Sequence, residues 1–185
     1  GLLIIHPDGK RFFEGGEDEI VRIRDLITGD MLQEFKGHEY SVTSGALSPD
    51  GTVLATADTS GNIRIWEADT GAGLLVLKEH YSSVNSIAFS PDGSRLCSAS
   101  GEGSVNVWDV KSGKLEAIFY GSGDPVHRAL FSPDGKNVIF SGDDKIIRIC
   151  DLASEAEIIH LVGHTSHVWN IVLSPDGRKI VSGDL

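Results

Sequence analysis

The chain has 185 residues, with 16 Lys and Arg against 27 Asp and Glu and a formal net charge of −11. The acidic excess is spread along the chain with no run of five like charges, a surface that repels phosphate backbones, so direct nucleic-acid binding is not expected and basic partners suit it. The two cysteines, Cys97 and Cys150, give no disulfide framework and favour a reducing, intracellular and cytoplasmic setting; no signal-peptide pattern and no apolar run near about 18 residues is present, so no membrane contact is expected.

In chain order, Leu2–Ile5 is a short apolar run that leads into His6-Pro7-Asp8-Gly9. Ser-Pro-Asp-Gly then begins at Ser48, Ser90, Ser132 and Ser174, each 42 residues after the last, with the His6 variant in the same register. A fixed period of this length signals a stacked or radial repeat architecture. The copies run 1–36, 37–78, 79–120, 121–162 and an incomplete 163–185, about 4.4 units in one uninterrupted series, and are expected to be part of a longer array.

The third copy shows the unit most clearly. Val84–Phe89 is an apolar run, Ser90-Pro91-Asp92-Gly93 a turn, Arg95–Ser100 a second apolar run and Gly101–Gly103 a second turn. Val105-Asn106-Val107-Trp108 alternates with period two, which predicts a strand with Val107 buried and Asn106 more exposed. The same prediction applies to Ile65 against Arg64 and Ile149 against Arg148. Val110–Gly113 then turns into Leu115–Phe119. No segment holds a 3.6-residue apolar period, so the chain reads as all-β, four short antiparallel strands per copy. The first copy is the most divergent, with Arg24 where later copies have Trp and the acidic turn Glu17-Asp18-Glu19. In the fourth copy Ser154-Glu155 replaces Thr-Gly or Ser-Gly, and losing that glycine predicts a changed or longer turn.

Gly37-His38, Gly163-His164, Trp108-Asp109 and the degenerate Trp66-Glu67, together with the Ser-Pro-Asp-Gly turns at this period, resemble the WD-repeat β-propeller family across essentially the whole chain. The resemblance implies four-stranded antiparallel blades, about four and a half of them, within a propeller of seven or more. It also implies a buried hydrogen-bond tetrad of His, Ser/Thr, Asp and Trp in each blade. On that alignment the second blade carries His38, Thr56, Ser60 and Trp66; the third His80, Ser98, Glu102 and Trp108; and the fifth His164 and Ser182. The aspartate place elsewhere holds Asp18 and Asp144, and the Ser/Thr place Glu14 and Phe140, so no copy is expected to be complete. The fourth, with Ser122, Phe140, Asp144 and Cys150, is expected to rely on apolar packing.

Three chemical readings compete with that scaffold and are set aside. His80, Ser98 and Glu102 have the residue types of a nucleophilic triad, but His38 with Thr56 and His164 with Ser182 repeat them, and a triad is made by geometry rather than composition. His164-Thr165-Ser166-His167 is a lone H-x-x-H, too weak to assign a metal. Gly121-Ser122-Gly123 is a turn with no helix after it, not a phosphate cradle. No catalytic, cofactor or metal residue is assigned.

One set of columns reads as a binding face. Beside the constant Val42, Val84, Val126 and Val168 stand Thr43, Asn85, His127 and Trp169, a position free in its chemistry. In the family resembled, this column, the residue two earlier (Ser41, Ser83, Pro125, His167) and the one before the tetrad aspartate (Glu17, Thr59, Gly101, Asp143) lie at the channel mouth. Trp169 beside His167 is the strongest single anchor, since exposed Trp is enriched among interface hot spots. The expected function is a protein–protein interaction scaffold or recognition platform, partnered by proteins or peptides. The alternative is a regulatory array of a larger signalling protein, and a propeller hydrolase is the least favoured. Self-association through open blade edges is a further expectation.

Overall fold

The computed structural model describes residues 1–184, which contain strands and turns and no helix. They group into two units, Gly1–Val84 and the remainder from Asn85 onward, each described by itself. In the first unit β1 (Leu2–Ile5), β2 (Arg11–Gly15), β3 (Val21–Asp25) and β4 (Met31–Phe35) form one antiparallel sheet in that order. A second sheet follows in the same order with β5 (Val42–Leu47), β6 (Val53–Asp58), β7 (Ile63–Glu67) and β8 (Gly73–Leu77). The third sheet holds β9 (Val84–Phe89), β10 (Arg95–Ser100), β11 (Ser104–Asp109) and β12 (Leu115–Tyr120). The fourth holds β13 (Val126–Phe131), β14 (Asn137–Gly142), β15 (Ile147–Asp151) and β16 (Ala156–Leu161). The last pairs β17 (Val168–Leu173) with β18 (Ile180–Asp184). The described residues thus form four complete four-stranded antiparallel sheets and one two-stranded pair, the blade pattern expected from the repeat.

The Ser-Pro-Asp-Gly turn recurs because its side chains close it on themselves. Ser90 Oγ donates to Asp92 Oδ1 at 2.6 Å and accepts the Arg95 N–H at 2.9 Å, while Asp92 Oδ1 accepts the Ser94 N–H at 3.0 Å. Ser48, Ser132 and Ser174 repeat the arrangement on Asp50, Asp134 and Asp176. These bonds, with the Ser90 hydroxyl first, hold the Asp92 carboxyl down at about 2. Gly93 follows at φ 73°, a left-handed corner that a side chain would strain.

The turn at Glu155 corrects the sequence reading. It is not longer, and its corner keeps the left-handed backbone of the other copies. Glu155 takes φ 55° where Gly29, Gly71 and Gly113 take 71–75°, and Asp151 Oδ1 accepts the Ser154 N–H at 2.8 Å as Asp109 does that of Ser112 at 2.7 Å. The fixed anchor at Asp151 enforces the geometry, and Glu155 bears the left-handed strain. Glu155→Gly is therefore expected to raise stability by about 0.5–1 kcal/mol, read as a higher denaturation midpoint; a lower one would mean the turn is not strained.

Burial corrects a second expectation. Ile65 and Val107 are buried as predicted and Ile149 half-buried, but Asn106 and Arg148 are buried too, and only Arg64 is partly open. A middle strand of a stacked sheet is covered on both faces, so period two does not divide inside from outside there. Arg148 is accommodated by an ion pair with Asp144, by Glu157 at 3.5 Å and by the Phe140 ring below its guanidinium.

The first unit's core threads Phe13, Phe35 and Trp66 edge to face at ring distances of 5.8 Å, backed by Val21, Ile23 and Leu54. In the second unit, Val105, Val107, Phe119, Phe131, Val138 and Phe140 form one cluster with Cys97 and Cys150, and Ile139, Ile147, Val168 and Ile171 another. Both thiols are free, and burial pushes Cys97 up to about 12 and Cys150 to about 11, so both are inert packing groups at neutral pH.

Candidate protein-interaction face

The register of the first strands explains why one column is chemically free. Val42 pairs with Asp58 and Ser44 with Ala57, which leaves Thr43 as the extra residue of a β-bulge. The same irregularity extrudes His127 between Val126 and Arg128, and Trp169 between Val168 and Asn170. A bulge re-aims one side chain out of the pleat without disturbing the valine before it. Val42, Val126 and Val168 are accordingly almost fully buried.

Where these side chains go differs between copies. Thr43 Oγ1 lies 3.1 Å from the Ala57 carbonyl and 2.5 Å from that of Val84, and Asn85 Nδ2 donates to the Val126 carbonyl at 2.9 Å. Thr43 and Asn85 thus reach the column valine of the following copy and are partly engaged in holding the scaffold. Ser41 contributes its carbonyl to the Thr59 N–H at 3.1 Å, and Pro125 does the same for Asp143 at 3.0 Å, so this column closes the next turn through its backbone. Thr59 is exposed, whereas Ser41, Ser83 and Pro125 are half-buried.

His127, Asp143, His167 and Trp169 behave differently, because the fold brings all four together. The His127 ring stacks on Trp169 with centroids 3.9 Å apart and planes 14° from parallel. His127 Nε2 lies 2.5 Å from Asp143 Oδ1, and His167 Nδ1 lies 2.7 Å from the same oxygen. Trp169 remains 48% exposed despite the stacking, and His167 is exposed beside it. Lys145 Nζ donates to the Thr165 carbonyl at 3.0 Å, tying the turn that carries Asp143 to the loop that carries His167.

The polar network beneath the surface is more complete than the sequence alignment implied, and its carboxylate stands elsewhere. In the second sheet Asp58, two residues before Ser60, lies 2.7 Å from His38 Nδ1. Trp66 Nε1–H donates to Thr56 Oγ1 at 2.8 Å, and Thr56 Oγ1 lies 2.7 Å from His38 Nε2. The Trp N–H can only donate, so the Thr hydroxyl passes its own proton to His Nε2, and His Nδ1–H completes the chain at the carboxylate. Ser60 instead buttresses Asp58 Oδ1 at 2.6 Å. This copy therefore carries all four groups. Burial pushes the His38 pKa down against the pull of Asp58, and Asp58 is held below the usual carboxylate range, burial outweighed by the bonds from Ser60, His38 and Asn62.

The same correction holds at the end of the chain, where His164 Nε2 meets Ser182 Oγ at 2.7 Å and His164 Nδ1 meets Asp184 Oδ2 at 3.1 Å. His164 is thus committed to its own sheet and makes no pair with His167. Ser98 accepts the Trp108 indole N–H at 2.9 Å, and His80 is buried. Glu102 bonds the hydroxyls of Ser100 and Ser104, and Asp144 pairs with Arg148. Neither Ser60 nor Asp144 holds the carboxylate place the alignment gave it. In the fourth sheet Phe140 fills the Thr56 position, so apolar packing replaces the network.

A family description, "WD domain, G-beta repeat", matches residues 29–67, 71–109, 113–151 and 156–185. Each complete match runs from the last strand of one sheet through the third strand of the next, so the sequence unit straddles two sheets. The chain is 37% identical over 57 residues to the serine-threonine kinase receptor-associated protein of Dictyostelium discoideum, which covers 31% of this chain and 20% of that protein. It is 31% identical over 62 residues to transcription initiation factor TFIID subunit 5 of Caenorhabditis elegans, which covers 34% of this chain and 10% of that protein. The matched region thus spans a fifth and a tenth of these relatives.

Proposed function

The chain belongs to the WD-repeat family, and from that premise we propose that it is an intracellular protein–protein interaction platform whose contact surface in the second unit centres on Trp169. The observation that carries this reading is the Trp169–His127 stack. It holds a large aromatic rigid and half open on a bulge, so little side-chain freedom remains to be lost on binding. The names of both relatives denote proteins that assemble with others, which supports the class of function without identifying a partner. The hydroxyl–histidine chain of Thr56 and His38 is buried beneath the sheets and already bonded at each end, an arrangement for scaffolding rather than for attack on a substrate. The formal charge of −11 favours basic peptides as ligands.

Peptide-display selection on the chain, followed by titration of the enriched peptides, tests the proposal. Trp169→Ala is expected to weaken the best peptides by about 2 kcal/mol, roughly 30-fold, with the denaturation midpoint unchanged. Unaltered affinity in the variant, or a large drop in its midpoint with affinity retained, would place the contact surface elsewhere.

A further inference from the structure

We propose that His127, Asp143 and His167 form a binding site for one divalent metal ion of the borderline class, zinc above all. Their donor atoms all lie within 4.8 Å of one another, although they come from three separate segments: the β13 bulge, the β14–β15 turn and the loop before β17. Two imidazole nitrogens with one carboxylate oxygen is a donor set that zinc accepts in four-coordinate sites, with the remaining position left to water or an incoming ligand. Both nitrogens already converge on Asp143 Oδ1, at 2.5 and 2.7 Å. Zinc bonds of about 2.0–2.1 Å to N and O in a tetrahedron separate the donors by somewhat more than that, so the three side chains need only open slightly around the ion.

The surroundings favour a held site over a chance meeting of polar groups. The Asp143 N–H is fixed by the Pro125 carbonyl at 3.0 Å, the His127 ring plane by Trp169, and the turn to the loop by Lys145. Lys145 itself takes φ 69° in the column where Gly61 and Gly103 stand, so this turn keeps its shape despite a side chain in left-handed backbone. The exposed side of His167 leaves an entry path. The other copies provide an internal comparison: the same three places hold Thr43, Thr59 and Ser83, or Asn85, Gly101 and Pro125. The fold does not require ligating residues there, so His, Asp and His where the fourth copy meets the fifth answer to something other than the scaffold.

The test uses the chain alone, stripped with a chelator, so its outcome is independent of any protein partner. Zinc chloride titrated by calorimetry is expected to bind at one equivalent. Cobalt(II) chloride is expected to give visible d–d absorption that zinc then abolishes. His127→Gln, Asp143→Asn and His167→Gln are each expected to lower zinc affinity by more than the about 10–100-fold typical of an outer-shell partner. His160→Gln, at an exposed histidine paired with Glu157 on β16, is expected to leave it unchanged. Thermal denaturation of each metal-free variant checks that it folds, and the exposed His167 is the variant least able to disturb the fold. Absence of stoichiometric binding, binding that survives all three substitutions, or equal loss in His160→Gln would overturn the proposal.

Discussion

Asp58→Ala is expected to be among the most damaging single substitutions in the first unit, lowering stability by about 3 kcal/mol or more. The carboxylate is 1% exposed and receives the His38 Nδ1–H, the Ser60 N–H at 2.9 Å and hydroxyl at 2.6 Å, and the Asn62 N–H at 3.1 Å. Removing it leaves several donors unpaired in or near the core, at about 1–3 kcal/mol for each buried orphan. Ser60→Ala removes only one hydroxyl from the same carboxylate and is expected to cost about 1 kcal/mol. For a chain of this size, about 2–4 °C of denaturation midpoint corresponds to 1 kcal/mol, so the two variants separate readily in a melting experiment. If Ser60→Ala proves the more harmful, Asp58 is not the carboxylate of the network.

The same residues set a pH dependence. His38 is held neutral by burial, with a folded-state pKa below its ordinary value, so the unfolded chain binds the proton more readily. Its stabilising contribution is present above about pH 6.5 and is lost as pH falls through the depressed folded value. Asp58, also depressed, contributes above the ordinary carboxylate range and is lost at still lower pH. Stability is therefore expected to decline on acidification in two stages. The upper stage should vanish in His38→Gln, whose side chain does not titrate; an unchanged upper stage would assign it to another group.

The repeat made most of the fold readable, because a turn that closes on its own side chains must keep its residues wherever it recurs. Ser48, Ser90, Ser132 and Ser174 hold the same bonds to Asp50, Asp92, Asp134 and Asp176, and the period follows from that chemistry. The chemically free column was readable for a related reason: a bulge frees one residue from the pleat and leaves its valine fixed. What strand spacing concealed was the direction in which side chains reach. Asp58 and Asp184 each stand 20 residues after the histidine they bond, a recurrence visible in the sequence but masked by reading Ser60 into the family's aspartate place. The strained turns at Glu155 and Lys145 were hidden for another reason. At Glu155 the neighbouring Asp151 anchor holds the left-handed backbone, and at Lys145 too a non-glycine residue adopts it, which composition alone does not signal.

Gly142→Ala is expected to destabilise the second unit by about 2–3 kcal/mol and to dismantle the His127–Asp143–His167 cluster. Gly142 occupies the column of Asp58 and Asp184, each of which bonds a histidine of its own sheet. In the fourth sheet, with Phe140 in the Thr56 position and no carboxylate to accommodate, the backbone has closed in. A Cβ on Gly142 would lie 2.1 Å from the Pro125 carbonyl oxygen and 2.9 Å from Val126 Cα, both backbone atoms with no rotamer to escape into. Relief requires β13 and β14 to part at the bulge, at the roughly 1–3 kcal/mol of an overpacked core. That movement stretches the Asp143 N–H bond to Pro125 and draws the carboxylate away from His127. Gly16 stands in the same column of the first unit with nothing within 4 Å of its Cβ position. Gly16→Ala is accordingly expected to be neutral or mildly stabilising, since it restricts the unfolded chain without a clash. Denaturation midpoints of the two variants, read beside the His127 imidazole resonances, check both halves: equal effects at positions 16 and 142 would show that the column, not the closed backbone, governs the outcome.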